Sequence, residues 1–389
     1  MNMTTKNNIF DRYLGEYLKA DKQRKSEILN NVCDTVQTHR KAAIRKFKKL
    51  QMRRGSDPER RGRKMYYTPD VSVALRVVWK SGSEICGELL HPIIDEYVTI
   101  FQRDKMWSHS ENTTVKLLEM SEATVKRRVA EFMKSRISRK GKSATSPSNL
   151  KEIIPIFTGP WKDKPPGYGQ VDTVVHCGNS LVGDLVYSVN YTDINTLWVS
   201  FSAQWNKGQR ATRDSLKRIK GKVPFPIKGM HPDTGSEFIN WFLKGWCDEE
   251  SIELTRSRPN HKNDNAYVEQ KNGHVIRRFL GYSRLDQQEV VLLINKMYDL
   301  LEIYLNHFVP SKKLIEKVRI GSKYKRKYDK AKTAYKRVLE SKDISQKIKD
   351  KLTLEHSQLN PLLLKRKIDM MIKEIFKINR SLREPISEN

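Results

Sequence analysis

Apolar positions at helical spacing dominate the start of the chain. Phe10, Tyr13, Leu14 and Tyr17 share one face of a helix, as do Ile28, Leu29 and Val32, so 9–51 reads as helices. A short polar stretch, Asp34-Thr35-Val36-Gln37, precedes the run from Thr38 to Phe47, which reads as a capped basic helix. A support helix, a tight turn and a basic helix give this region helix-turn-helix character, although a plain helical bundle explains the pattern nearly as well. A second helical unit begins at Thr68, with Val73, Leu75, Val77, Val78 and Trp79 apolar. The string from Leu117 to Val129 is sharper: Ser121 is placed as an N-cap, Thr124 lies on the next turn, and Lys126, Arg127 and Arg128 supply charge. Read blandly, this is a structural helix pair.

The pattern then changes. The stretch 135–168 is rich in Ser, Lys, Arg, Pro and Gly and reads as a linker, with Trp161 and Tyr168 expected to pack on the next domain rather than stack on a base. Beyond it, short apolar runs predict strands at 171–175, 185–191 and 196–201, a helix at 210–220, a strand at 227–230, a helix at 238–247, a strand at 252–255, a polar loop at 258–264 and a helix at 266–280. Three meandering strands followed by alternating units suit a mixed sheet flanked by helices, as in the ribonuclease-H-like fold. After position 290 the segments read as helices, with a basic stretch through Tyr324-Lys325-Arg326-Lys327-Tyr328 and a last amphipathic run at 362–378. The expected division is a helix-turn-helix-like DNA-binding region with a basic linker (1–64), a second helical DNA-binding region (65–134), a linker (135–168), a ribonuclease-H-like catalytic core (169–285) and a mostly helical basic C-terminal region (286–389). The fold class is thus multidomain, α and α/β. No repeat or low-complexity segment stands out.

Charge sharpens this division. The 389 residues carry 74 Lys and Arg against 45 Asp and Glu, a net charge of +29, which argues for a polyanionic partner. The excess is uneven: 40–64 has 12 basic and 2 acidic residues, 311–351 has 16 and 5, but 165–285 has 16 and 12. Basic arms around a nearly balanced centre suggest arms that hold DNA while the centre acts on it. Arg40, Lys41 and Arg45 on the first basic helix, Arg60, Arg61 and Arg63 in the linker, and Lys126, Arg127 and Arg128 in the second unit are the candidate DNA contacts. No apolar run approaches the roughly 18–20 residues that span a bilayer, and the polar start predicts no signal peptide. The four cysteines lie far apart, which fits neither a disulfide framework nor a zinc pair and suggests a reducing cytoplasm. His176 and Cys177, adjacent near the first core strand, read as structural; Asp193 reads as a turn residue and Asp264 as part of a helix N-cap region.

Three acids lie where the core topology would need them for metal chemistry. Asp172 is in the first strand, Asp233 follows the fourth, and Glu269 is one turn into a helix. Strand-borne acids flanked by Val are costly unless paired with a cation or a proton. Carboxylates are natural Mg²⁺ ligands, and phosphoryl transfer on DNA commonly uses two such ions. Taken singly, each acid has an ordinary structural explanation: a surface charge, a turn aspartate, a helix salt bridge.

Their strings carry a resemblance. Gln170-Val171-Asp172-Thr173-Val174, His231-Pro232-Asp233-Thr234-Gly235-Ser236-Glu237-Phe238 and Asn263-Asp264-Asn265-Ala266-Tyr267-Val268-Glu269-Gln270-Lys271-Asn272 occur in order, and 35 residues separate Asp233 from Glu269. This resembles the integrase-core transposases of the DDE superfamily, which include retroviral integrases and bacterial insertion-sequence transposases. The match covers about 170–284. The resemblance implies ligation by Asp172, Asp233 and Glu269 of Mg²⁺ or Mn²⁺, two ions expected, with water or a DNA 3′-hydroxyl attacking in line and no covalent enzyme–DNA intermediate. It implies DNA partners, both element ends and target, a homo-oligomer of at least two copies in the active complex, no membrane, and a place on bacterial nucleoid DNA in the cytoplasm. Gly235 would permit a tight turn, with Glu237 and Phe238 opening the next helix. Asn265 and Asn272 share a helix face with Glu269 and would orient it or touch DNA; Lys271 and Arg277 are candidate phosphate contacts. Two departures stand out. Many relatives carry a basic residue seven positions after the Glu, where this chain has Ile276; Arg277 lies about 80° round an ideal helix from Glu269. The His/Cys zinc unit of retroviral integrases has no counterpart. The expected function is an insertion-sequence transposase that cleaves and joins DNA. The alternatives are a sequence-specific DNA-binding protein, a decayed transposase, or a nuclease acting on RNA–DNA hybrids.

Overall fold

The computed structural model describes residues 3–52, 65–133, 164–258 and 265–383, together with Met1, Ile154, Pro155, Phe157 and Trp161. The chain divides into two compact units, Met1–Tyr66 and Tyr67–Asn389.

The first unit is helical: α1 (Met3–Lys19), α2 (Lys22–Val36) and α3 (Arg40–Gln51). Asp21 caps α2 by accepting the Arg24 N–H at 2.8 Å. Of the apolar stripe read from the sequence, Phe10, Ile28, Leu29 and Val32 are buried and Tyr13, Leu14 and Tyr17 are partly buried against them, while Val36, Ala43, Phe47 and Leu50 complete the core. Phe47 stacks on Tyr17 at 4.2 Å and meets Phe10 edge-on at 5.2 Å. Between α2 and α3 the chain turns at Gln37, whose backbone is left-handed, and His39 caps α3 by accepting the Lys41 N–H.

The second unit begins with α4 (Pro69–Ser81), α5 (Gly87–Leu90), α6 (Ile94–Arg103), α7 (Glu111–Leu118) and α8 (Glu122–Met133). Ser121 accepts the Thr124 N–H at the start of α8, the cap its position suggested. Next comes a mixed sheet: β1 (Tyr168–Val175), β2 (Val186–Asp193), β3 (Val199–Trp205), β4 (Gly229–Pro232) and β5 (Glu253–Leu254), in the order β3-β2-β1-β4-β5. The first three strands form an antiparallel meander, and β4 and β5 run parallel to β1. Helices α9 (Gln209–Lys222) and α10 (Trp241–Glu249) make the two crossovers. This five-stranded mixed sheet with flanking helices is compatible with a ribonuclease-H-like core.

Helix α13 (Val290–Phe308) packs along the sheet edge formed by β3. Its polar residues close that edge. Asn306 bonds both the N–H and the C=O of Val199, and Asn295 does the same for Ala203. Between them Glu302 accepts the Phe201 N–H at 2.6 Å, while Lys222 donates to the Phe201 carbonyl at 2.6 Å. Six edge groups are thereby satisfied without another strand.

The C-terminal region departs from the all-helical expectation. After α13 comes a two-stranded hairpin, β6 (Leu314–Ile320) and β7 (Lys323–Tyr328), and only then α14 (Ala334–Glu340), α15 (Gln346–Gln358) and α16 (Pro361–Ser381). The physical reason is local: β-branched and aromatic residues alternate with cations on both sides of Gly321-Ser322, and Gly321 takes the positive φ of a tight hairpin turn. The expected helix at 266–280 is also broken, into α11 (Ala266–Lys271), a π-turn (Asn272–Ile276) and α12 (Arg277–Leu280). One apolar core joins residues of α4–α8 to α13, α16 and one face of the sheet; a second lies on the other face with α9, α10, α14 and α15. The stretches 65–134 and 286–389 therefore build a common core with the sheet. No helix among the described residues is long and apolar enough to cross a membrane.

Candidate active site

The parallel pairing of Val171 with Pro232 brings the end of β4 beside the middle of β1, so Asp233 emerges next to Asp172. Gln170, on β1, accepts the N–H groups of Tyr267 at 2.9 Å and Val268 at 3.2 Å. Those bonds pin the first turn of α11, which carries Glu269, to β1. The electrostatics show the result. Burial raises the Asp172 carboxyl well above the usual carboxylate range; the Asp233 carboxylate raises it further, with Glu269 and Glu237 adding to the push and the Thr173 N–H opposing it.

The side chains around Asp172 are held in a network. Its Oδ2 accepts the Asn272 amide at 2.6 Å, and the Asn272 oxygen accepts the Asn190 amide at 2.9 Å. Its Oδ1 accepts the Thr173 N–H at 2.7 Å. Asp233 Oδ1 accepts the Gly235 N–H at 2.8 Å, a turn that places the next acid. That acid is Glu237, buried, accepting from Thr173 Oγ1 at 3.1 Å and paired with Lys207 at 3.0 Å. A Cβ at position 235 would stand 2.4 Å from the Glu237 carboxylate and push that side chain aside. So Glu237 belongs to the acidic cluster, and α10 opens instead at Trp241 under an Asn240 cap. Asn272 positions Asp172, while Asn265 is buried with its side-chain oxygen unbonded among the described residues. Sequence reasoning missed Gln170, Asn190 and Lys207 as well; their only signal was polarity inside or beside otherwise apolar strands. Among the described residues no three His, Cys, Asp or Glu side chains are gathered closely enough to hold a metal ion.

The π-turn changes the place of Arg277. Its N–H donates to the Asn272 carbonyl five residues back, so the helix carries one extra residue there. One residue takes up about 100°, which returns Arg277 to within about 20° of the Glu269 direction, where the seventh residue of an unbroken helix would stand. The guanidinium donates to the Val175 carbonyl at the end of β1, at 2.7 Å, and lies over the Tyr282 ring. Lys271 faces elsewhere, lining a cavity of about 460 Å³ with Leu197, Val275, Phe279 and Leu305; burial lowers its ammonium to about 8, with Arg337 adding repulsion.

The remaining basic candidates divide by environment. Arg40 is spent inside the first unit, on Ser26 and Asn30. Lys41 and Arg45 are exposed on α3. Arg128 ties α8 to Ser72 and the Tyr67 carbonyl. Lys126 and Arg127 are exposed, the first 3.7 Å from Glu122 and the second bonded within its own helix. Arg60, Arg61 and Arg63 lie outside the described residues, as does Asp264. Asp193 is buried and knits the turn after β2, accepting from Gly167 and Thr196. His176 is buried and bonded to Ser188, with its pKa pushed down to about 3 by burial. Trp161 packs edge-on against His231 at 4.6 Å.

No family model matches the chain. Over 329 residues, covering 84% of the chain and 93% of the relative, it is 32% identical to the uncharacterized protein y4rM of Sinorhizobium fredii. Among solved structures it is similar to the HTLV-2 integrase catalytic core domain in complex with magnesium (15% identity, 38% of this chain and 91% of that one, TM-score 0.28). It is also similar to a chain of the simian T-cell lymphotropic virus intasome in complex with the PP2A regulatory subunit B56 gamma. There the identity is 18%, the TM-score 0.25, and the match spans 31% of this chain and 42% of that one. Superpositions this partial carry no inference about chemistry.

Proposed function

We propose that this chain, which belongs to the family of the uncharacterized protein y4rM, is a DNA strand-transfer enzyme: a transposase that binds element ends, cleaves there and joins them to target DNA. The observation that carries the reading is the acidic cluster, in which Asp233, Glu269 and Glu237 all press on Asp172. Such a concentration of negative charge in a partly buried site calls for cations, and its oxygen donors suit hard divalent ions. Asp172, Asp233 and Glu269 would hold Mg²⁺ or Mn²⁺, two ions in all, which when bound would favour an attacking oxygen and a departing one in phosphoryl transfer.

The chain's own residues do the positioning. Asn272, steadied by Asn190, fixes one face of the Asp172 carboxylate and leaves its burial undisturbed. Lys207 and Thr173 hold Glu237 at the back of the cluster, where its charge is partly neutralised. Gln170 keeps α11 in register with β1. Lys41 and Arg45 on α3 and Lys126 and Arg127 on α8 are exposed cations that would meet phosphates. Joining two ends requires their synapsis, so the active complex contains at least two copies.

A second reading has one observation in its favour: the acids are not gathered as a ligand set in this structure. On that reading the chain is a sequence-specific DNA-binding protein without strand chemistry. The deciding experiment is cleavage and joining of a labelled DNA end, taken from the flanks of the coding region, in Mg²⁺. Wild type is compared with Asp172→Asn, Asp233→Asn and Glu269→Gln. Metal-dependent products lost in all three variants are expected. Specific binding with no products from wild type would establish the binder instead.

A further inference from the structure

The β6–β7 hairpin has no sheet to belong to. It is a two-stranded ribbon, paired from Leu314–Tyr328 to Ile320–Lys323, and no third strand among the described residues joins it. Two strands alone are marginal in water. This ribbon is held at its root: Asp329 accepts the Lys313 N–H at 2.6 Å and pairs with Arg337, which also donates to the Ser311 carbonyl at 3.0 Å. Beyond the root it stands free. Every residue from Ile315 to Tyr328 whose side chain is described is exposed, on both faces of the ribbon. Among them are Val318, Tyr328 and Ile320, the last 60% exposed. Apolar residues kept in water on a projecting ribbon, with no core beneath them, imply a partner that covers them.

The charge says which partner. From Leu314 to Tyr328 there are six basic residues and one acid. Lys323, Lys325, Arg326 and Lys327 are exposed cations along β7. Dimensions agree. Strands of seven and six residues give a ribbon about 20 Å long, its strands about 4.8 Å apart. The major groove of B-form DNA is about 12 Å wide and admits a two-stranded ribbon, with cations meeting phosphates and apolar side chains meeting thymine methyls. The root also lies against the core: Lys313 donates to the carbonyl of Asn195, in the turn after β2. That turn adjoins Gly169, about 10 Å along β1 from Asp172.

We propose that the β6–β7 hairpin is a DNA-binding ribbon that enters a groove of duplex beside the bond being processed, with Lys323, Arg326 and Lys327 on phosphates and Val318 and Ile320 against the groove floor. The choice of DNA as the polyanion rests on the function proposed above; the ribbon's need for a polyanionic partner does not.

The test measures affinity of the full chain for a labelled duplex across a salt series. One variant combines Lys323→Gln, Arg326→Gln and Lys327→Gln; another combines Val318→Ser and Ile320→Ser. Circular dichroism and thermal melting check that both remain folded. In the charge variant the slope of log affinity against log salt is expected to fall by about 0.9 for each lost phosphate contact, two to three in all, with affinity down about tenfold or more at moderate salt. In the apolar variant affinity falls while the slope stays. Wild-type slope and affinity in both variants would overturn the proposal. So would binding to phosphatidylserine vesicles that is lost in the same variants while duplex binding is kept. The two readings fail separately. Ribbon-dependent duplex binding without end joining leaves the ribbon and removes strand transfer; end joining with duplex binding unchanged in both variants does the reverse.

Discussion

Asp172 is where the cluster's repulsion is concentrated, and its protonation links the site to stability. Its folded-state pKa lies well above the ordinary value of 3.8, so the folded chain holds that proton to higher pH than the unfolded chain does. Stability then falls as pH rises from about the ordinary carboxylate value through the raised one. At neutral pH without a divalent ion, the site therefore destabilises the fold. Asp172→Asn removes the charge and keeps one oxygen for the Thr173 N–H but loses the Oδ2 acceptor that Asn272 uses, so its melting temperature relative to wild type should rise between about pH 3 and pH 7. Mg²⁺ or Mn²⁺ should raise the wild-type melting temperature, by the linkage that gives about 2.7 kcal/mol at a hundredfold excess over Kd, and leave the variant nearly unmoved. A difference between the Asn variant and wild type that does not change with pH, with no metal shift in either, would remove the cation site. The sequence made the positions of Asp172, Asp233 and Glu269 legible because each sits in a recognisable string. It hid Glu237 and Asn272 because their roles come from side-chain direction: Glu237 turns back under Gly235, and Asn272 reaches across to β1 and away from the acid on its own helix.

Element by element, the period of the pattern was a sound guide where one rule acted alone. The succession of strands and helices in the core and the helices of the first unit follow from alternation, helical spacing and caps. Two elements escaped because a second rule intervened. In the hairpin, high Lys and Arg content masked a period of two. In the helix that carries Glu269 a π-turn inserted one residue, which no propensity reveals, and moved Arg277 to the face that Ile276 would otherwise hold. Helix α13 is a third instance: it reads as an apolar helix, yet Asn295, Glu302 and Asn306 in it are the caps for the β3 edge. Removing one cap exposes the cost. Asn306→Ala leaves the Val199 N–H and C=O, both bonded to that amide, without partners in a buried strand. Each orphaned group costs about 1–3 kcal/mol. The urea midpoint should drop accordingly, and light scattering should show self-association, since an uncapped edge is a template for another strand. A midpoint within error of wild type would mean the edge is closed by something other than this amide.

On the scale of the whole molecule the chain is two units with separate cores, and this bears on how recognition and chemistry are divided. The first unit relies on a small cluster around Phe47, which is fully buried between Tyr17 and Phe10. The second has two large cores that share no residue with it. A small domain sits near the low end of the usual range of about 5–15 kcal/mol of stability, and a buried Phe→Ala change costs about 3–5 kcal/mol. Phe47→Ala should therefore unfold the first unit alone. Calorimetry of wild type should show two transitions, and the variant should lose one and keep the other at its original temperature. If α3 reads the element end, the same variant should lose the preference for end sequence over random duplex. The β6–β7 ribbon lies in the second unit, so the salt-dependent affinity for random duplex should persist. A single transition that shifts as a whole would mean the two units stabilise one another, and recognition could then not be separated from chemistry by any change confined to the first core.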